Sequence, residues 1–238
     1  MNGYRAIVMG GTGAVGSALV RELIASPRCE QVTVLSRSEP AEGFFGDYTS
    51  KLRLHVVDMN QVGSEAVAQA RNCEAAFSTM GIGQPSKVSK DLFWKVDVEY
   101  ATAFARACKI AGARHFSLLG SVGANPNSRT NYLHVKGVAE ERIQQLGFQR
   151  VSLFRPSLLV TEHIRYGLQD RLTQAIFPLL SRFLSPRFHE IKVEDLGRAM
   201  RINAERSGVT GAESLTYPEF QALLAMQPQA RTKAHAGT

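Results

Sequence analysis

Tyr132 and Lys136 stand four residues apart in a stretch, Tyr132 to Leu146, whose apolar spacing predicts a helix stopped by Gly147. That separation puts both side chains on one helical face. An ammonium beside a phenol favours the phenolate and draws the tyrosine toward the working pH range. Tyr132 could then give a proton to a carbonyl oxygen as hydride reaches the carbon, or take it back in the oxidative direction. Lys136 could also hold a ribose. Ser121 comes eleven residues before Tyr132, just past the apolar run His115–Leu119. Its hydroxyl could bond the same oxygen and share the developing charge. The bland alternative is a tyrosine at the edge of a core beside a solvated lysine. The pair carries chemistry only if a hydride carrier lies nearby.

The start of the chain offers a cradle for one. The strand-like run Arg5–Met9 enters Gly10-Gly11-Thr12-Gly13-Ala14-Val15-Gly16, and a helical pattern follows from Gly16 to Ile24. Gly10 can make the tight turn, Gly13 admits a pyrophosphate close to the backbone, and Gly16 lets the helix pack on the strand. The helix start, with Ala14 and Val15, would point unpaired N–H groups and a partial positive charge at the phosphates. A glycine cluster alone is weak evidence; between a strand and a helix it predicts dinucleotide binding.

The second strand, Gln31–Leu35, ends at Ser36 and Arg37, where an NAD site usually places a carboxylate for the ribose hydroxyls. An arginine there can pair with the extra phosphate of NADP, and Thr12 could add a hydroxyl. NADP(H) is the expected cofactor and NAD(H) the less favoured one. Asp58 follows the third strand, Leu52–Val57, and could accept a bond from the adenine amino group, with Met59 beside the ring. Thr79-Met80-Gly81 follows the fourth strand, Ala75–Ser78, where backbone can run past the adenosine ribose.

These residues need a scaffold that brings strand ends together. Short apolar runs alternate with amphipathic segments: a short helix at Ser64–Ala70, a long one at Asp91–Ala111, and a sixth strand at Val151–Phe154 before Pro156. Such alternation predicts βαβ units and a Rossmann-type, doubly wound parallel sheet of the α/β class. Residues 1–226 read as one domain, with about 157–226 as a small C-terminal extension on the substrate side. Helical spacing is expected at Leu168–Leu184 and Glu194–Arg206, and a last strand and helix within Ser214–Met226. Residues 227–238 are polar and predict a disordered tail.

The 238 residues suit one α/β domain, and the net charge of +7 is spread without a basic run. No nucleic-acid partner is expected, nor an integral membrane segment. Three widely spaced cysteines, Cys29, Cys73 and Cys108, offer no disulfide framework. The six histidines lack metal-ligand spacing, so no metal is expected. The absence of a leader-like start points to the cytoplasm. His134, two residues from both Tyr132 and Lys136, should face away and be exposed. Phe93 and Trp94 read as packing residues.

Taken together, these motifs resemble the short-chain dehydrogenase/reductase superfamily, closest to its atypical branch and there to the Tat-interacting-protein-like oxidoreductases. The likeness runs through His115–Ser121, Asn131–Gly137, Phe154-Arg155-Pro156-Ser157 and Ile191–Leu196. It implies the Ser121, Tyr132 and Lys136 roles, an NADPH preference, and a turn at Pro156, Ser157 and Leu158 beside the carboxamide end of the nicotinamide. Two positions depart. Gly120 stands where a second serine is frequent, and Asp97 stands where many relatives have the asparagine that supports a proton relay. The aspartate leaves that relay open.

The reading is therefore an NADPH-dependent reductase of a small carbonyl compound. A second reading is an NADP(H)-sensing regulator or protein-binding module with little turnover, since some members of that branch act through protein partners. An epimerase or dehydratase of nucleotide sugars would share the chemistry, but the region after Pro156 is short for it. Residues 161–189, with His163, Arg165, Tyr166, Arg182, Arg187 and His189, would either contact substrate or cap the domain. Substrate, direction and oligomeric state are not written in these motifs.

Overall fold

A computed structural model describes residues 3–46, 50–160 and 186–226. The expected stretch Leu168–Leu184 and the expected tail 227–238 lie outside the described residues.

Strand β1 (Tyr4–Met9) turns through the glycine loop into helix α1 (Ala14–Ala25), and β2 (Cys29–Ser36) and β3 (Leu52–Val56) follow. A single 3₁₀ turn at Met59–Gln61 leads into α2 (Val62–Gln69), and then comes β4 (Ala75–Ser78). The long helix is continuous but not uniform: α3 (Lys90–Trp94), capped by the Ser89 side chain, passes through a π-helical turn (Lys95–Tyr100) into α4 (Ala101–Ile110). Strand β5 (His115–Leu119), helix α5 (Asn131–Gln144) and β6 (Arg150–Phe154) complete the central units. Two short strands, β7 (Leu159–Val160) and β8 (Ile191–Lys192), precede α6 (Val193–Ala204), β9 (Gly211–Leu215) and α7 (Tyr217–Met226).

Seven strands pair in the order β3-β2-β1-β4-β5-β6-β9, every ladder parallel. This is the expected doubly wound sheet. Alternation along β1 sends Ala6 and Val8 into one core, with α1, α6 and α7, and Ile7 and Met9 into the other, with α2, α4 and α5. Phe77, Phe104, Phe116, Phe154 and Phe220 are fully buried in these layers, each stabilising the fold by roughly 1.5–3 kcal/mol. β7 and β8 form a separate two-stranded pair beside the sheet, which hydrophobic periodicity did not foretell. Among the described residues, no helix is long and apolar enough to cross a membrane.

The strand order reverses at β1 and β4, whose crossovers leave in opposite directions. In open α/β sheets the crevice at the carboxyl ends of such strands takes the ligand.

Candidate nucleotide and catalytic site

The glycine loop sits at that crevice. Gly10 holds φ at +84°, which favours glycine. The backbone of the β4 loop also presses on it: a Cβ there would lie 2.4 Å from the Met80 nitrogen. A Cβ on Gly16 would lie 2.1 Å from the Gly10 carbonyl oxygen, so α1 abuts the turn directly. Thr79 closes the same knot, its hydroxyl 3.1 Å from the Gly10 carbonyl and 3.2 Å from that of Met9. Gly13 is the N-cap of α1, with no side chain capping it and no acidic residue in the first turn. The free amides at this end suit an anion from outside the chain. The helix starts at Ala14, two residues before its expected start. Val15 is buried in the core, so only its backbone faces the loop.

A cavity of about 500 Å³ opens from the loop across the ends of β2, β3 and β4. Its wall includes the predicted Gly10, Thr12, Gly13, Ser36, Arg37, Asp58, Met59, Thr79, Met80 and Gly81. It also includes Asn60, Ile82, Leu92, Val96 and Tyr100, which sequence reasoning did not single out. Leu92, Val96 and Tyr100 are spaced by four on the long helix, and that stripe was the available signal. Ser36 donates its hydroxyl to the Ser38 carbonyl at 2.7 Å. Arg37 is exposed on the rim, with no hydrogen bond or ion pair to any described residue. Asp58 spends Oδ1 on the Asn60 backbone amide at 2.9 Å and side-chain amide at 3.0 Å, while Tyr100 Oη donates to Asn60 Oδ1 at 2.8 Å. Asp58 is thus a cap as well as a wall residue.

Ser121, Tyr132 and Lys136 do not line this cavity; Lys136 stands at its Gly81 edge. A Cβ on Gly81 would come within 3.1 Å of Lys136 Nζ and 2.9 Å of Asp97 Oδ1. Lys136 Nζ pairs with Asp97 Oδ1 at 2.7 Å, and Asp97 Oδ2 accepts from the Ile82 amide at 2.9 Å. Asp97 is a buried counter-ion to the lysine, presented by the π-helical turn. Single π turns inside α-helices recur at functional sites. Burial alone would pull the Lys136 ammonium down, but Asp97, with Tyr132 and Glu140 adding, leaves it above the ordinary lysine value.

Tyr132 is 38% exposed, and its ring stacks on buried Phe93 with centroids 6.0 Å apart. Lys136 Nζ lies 6.0 Å from the Tyr132 ring centre. Ser121 is buried, and its Oγ makes a long contact of 3.5 Å with the Val122 carbonyl. His134 corrects its expectation: it is half-buried, its ring stacked 6.1 Å from Trp94 and its Nδ1 2.6 Å from the Pro126 carbonyl.

Pro156, Ser157 and Leu158 lie past the end of β6, outside the cavity wall. Their backbone has structural partners: the Pro156 carbonyl accepts from Val122 N at 3.0 Å and the Leu158 carbonyl from Ile191 N at 3.0 Å. Arg155 reaches back to Glu140 on α5, donating through Nε at 3.1 Å and through Nη2 at 2.5 Å. Glu140, one turn past Lys136, is 2% exposed. Burial raises its pKa above the usual carboxylate value, against the pull of Arg155 and Lys136.

Fold and site together define a Rossmann-type dinucleotide-binding protein. The NAD(P)H-binding family matches residues 10–172, and the chain belongs to that family. Protein HTATIP2 of Rattus norvegicus is 30% identical over 68% of this chain and 65% of its own length. The protein named FMP52, mitochondrial, of Candida albicans is 29% identical over 86% of this chain and 89% of its own. These matches agree with the resemblance to atypical short-chain dehydrogenase/reductases read from the motifs. Among solved structures, MoeE5 in complex with UDP-glucuronic acid and NAD superposes with a TM-score of 0.69 at 19% identity, covering 94% of this chain and 82% of that one. The oxidoreductase ylbE from Lactococcus lactis gives 0.66 at 17% identity, covering 93% and 97%. At such identities the agreement is one of fold.

Proposed function

We propose that this protein is an NADPH-dependent oxidoreductase that reduces a small carbonyl compound. The observation that carries the reading is the meeting of Gly81, on the nucleotide cavity wall, with Lys136, four residues from Tyr132. Gly13 leaves room for a pyrophosphate at the amides of α1, while the missing side chains of Gly10 and Gly16 let the turn close on the β4 loop and the helix. Arg37, on the rim where β2 ends, is the partner for a 2′-phosphate. NADPH, when bound, supplies the hydride.

The chain's own residues do the rest. Ser121 directs its hydroxyl at the substrate oxygen and holds it. The Tyr132 hydroxyl passes its proton to that oxygen as the carbon accepts hydride, so the carbonyl becomes an alcohol and the tyrosine a phenolate. Lys136 stays cationic beside it and stabilises that phenolate. With 38% of its surface exposed, Tyr132 can regain a proton from water. The segment about 157–226 is the proposed substrate side; residues 161–185 within it lie outside the described residues. The three cysteines are buried and free, and burial drives Cys29 up to about 12 and Cys73 up to about 11, which makes these two unreactive thiols. The cytoplasm is the proposed location, although the fungal relative carries a mitochondrial name.

The test is NADPH oxidation, followed by absorbance, with a panel of aldehydes, ketones and quinones. The wild type should turn over at least one class, and Tyr132→Phe should lose at least about a hundredfold in kcat while keeping NADPH affinity. Full activity in Tyr132→Phe would overturn the residue roles. Tight NADPH binding with no oxidation by any carbonyl would replace the reductase with a nucleotide-sensing module.

A further inference from the structure

Asp97 faces two elements at once. Its Oδ1 is 2.7 Å from Lys136 Nζ on α5, and its Oδ2 accepts the Ile82 amide from the loop after β4. The carboxylate is 1% exposed and the lysine 12%. Gly81 packs so tightly on the pair that a Cβ would meet both. The other charged or titratable groups acting on Lys136 are Tyr132 and Glu140, one turn to either side on α5, and Glu140 is already held by Arg155. Asp97 is therefore the carboxylate that directly balances Lys136.

We propose that Asp97 is a positioning residue that keeps Lys136 charged while stapling the Thr79–Ile82 loop to it. One side chain then ties the nucleotide cavity wall to the charge of the lysine. This rests on the reading that the cavity holds NADPH, and it adds a control on that site. An asparagine would retain the Ile82 bond through its amide oxygen but would offer no charge to Lys136. Burial, which opposes the ammonium, would then act without its main counterweight. The lysine would lose its proton at a lower pH, and the anionic nucleotide would lose a cation.

The experiment measures NADPH affinity against pH, by nucleotide fluorescence, for the 238-residue wild type, Asp97→Asn, Asp97→Ala and Lys136→Met. The wild type should hold its affinity up to the ordinary lysine range. Asp97→Asn should match it at neutral pH and weaken severalfold on the alkaline side, with a midpoint lower by at least about one pH unit. Lys136→Met should lack that alkaline limb. Asp97→Ala should bind more weakly at every pH, because the loop is no longer held. The double variant Asp97→Asn with Lys136→Arg should bind without the limb, since a guanidinium keeps its proton. Superimposable profiles for wild type and Asp97→Asn would overturn the inference, as would an alkaline limb that survives in Lys136→Met. A wild type that takes up no NADPH at any pH would fell the nucleotide reading as well, which separates the two failures.

Discussion

Gly120 and Glu140 compete for one volume: a Cβ built on Gly120 would lie 2.3 Å from Glu140 Oε1. Gly120 precedes Ser121, and its amide donates to the Phe154 carbonyl at 2.8 Å, while Val122 donates to Pro156 at 3.0 Å. Arg155 stands between those two acceptors and clamps Glu140 on the helix that carries Tyr132 and Lys136. The missing side chain at position 120 is thus the space in which the serine segment, the turn after β6 and α5 are joined.

Gly120→Ser should therefore destabilise the protein by about 1–3 kcal/mol, the usual range for overpacking. Urea unfolding would show a lower midpoint with an unchanged slope. An unchanged midpoint would mean that the carboxylate swings aside at no cost, and the clamp would then be no clamp.

The glycine loop separates folding from binding. A Cβ on Gly13 would have as its nearest described neighbour the Gly10 carbonyl oxygen, at 3.3 Å, whereas one on Gly16 would lie 2.1 Å from the same oxygen. Gly13→Ala should leave the melting temperature of the free protein within a few degrees and cost about tenfold or more in NADPH affinity, because it fills the approach to the helix amides. Gly16→Ala should lower both, with a stability loss of about 1–3 kcal/mol. Calorimetry of the free protein and titration with NADPH distinguish them. Equal affinity in Gly13→Ala and the wild type would place the phosphates elsewhere.

Acid should unfold the protein partly through His115. This side chain is 8% exposed, and its Nε2 lies 2.8 Å from Ser152 Oγ and 3.3 Å from Ser117 Oγ. Burial, with Arg150 adding and Glu213 opposing, lowers it from 6.5 to about 3. Between those values the unfolded chain binds a proton that the folded chain refuses, so stability falls as pH drops through that window and is fully present above it. Glu213 adds to the trend in the more acid part of the range: its pKa is held low, despite its burial, by the Ser152 hydroxyl and Arg150. His115→Gln should show a shallower loss between pH 6.5 and about 3 than the wild type. Parallel stability curves for the two proteins would remove the histidine from the account.

The glycine loop was legible because glycine types and spacing state backbone demands directly: one positive φ at Gly10 and one close contact at Gly16. The sheet was legible for a similar reason, since strands buried on both faces read as short apolar runs between helical stripes. What stayed hidden required contacts between distant residues. The partner of Lys136 is set by a π-helical turn, whose one extra residue is a phase shift that the apolar spacing of a single helix does not locate. Strand β8 is two residues long, too short to alternate. His134 was rightly placed off the Tyr132–Lys136 face, but nothing in the local pattern told of Trp94 and the Pro126 carbonyl waiting there. Glu140 continues the four-residue spacing of Tyr132 and Lys136, a signal that was present and went unread.

Arg37 offers the sharpest test of cofactor choice. It ends the β2 segment on the cavity rim, exposed, with no hydrogen bond or ion pair to any described residue. A guanidinium with no hydrogen bond or ion pair among the described residues gives up none of these when it takes a phosphate in a forked pair. A carboxylate in its place would repel that phosphate, while accepting bonds from the two ribose hydroxyls of NADH. Arg37→Asp should therefore weaken NADPH by at least about tenfold, leave NADH unchanged or improved, and keep the melting temperature of the free protein, because no hydrogen bond or ion pair among the described residues is lost. Thermal shifts with each nucleotide, for wild type and variant, read all three. The wild type should be stabilised more by NADPH than by NADH, and the variant should reverse or erase that order. Equal stabilisation of the wild type by both nucleotides would remove Arg37 as the anchor and leave the family's shared NAD(P)H affinity without a preference.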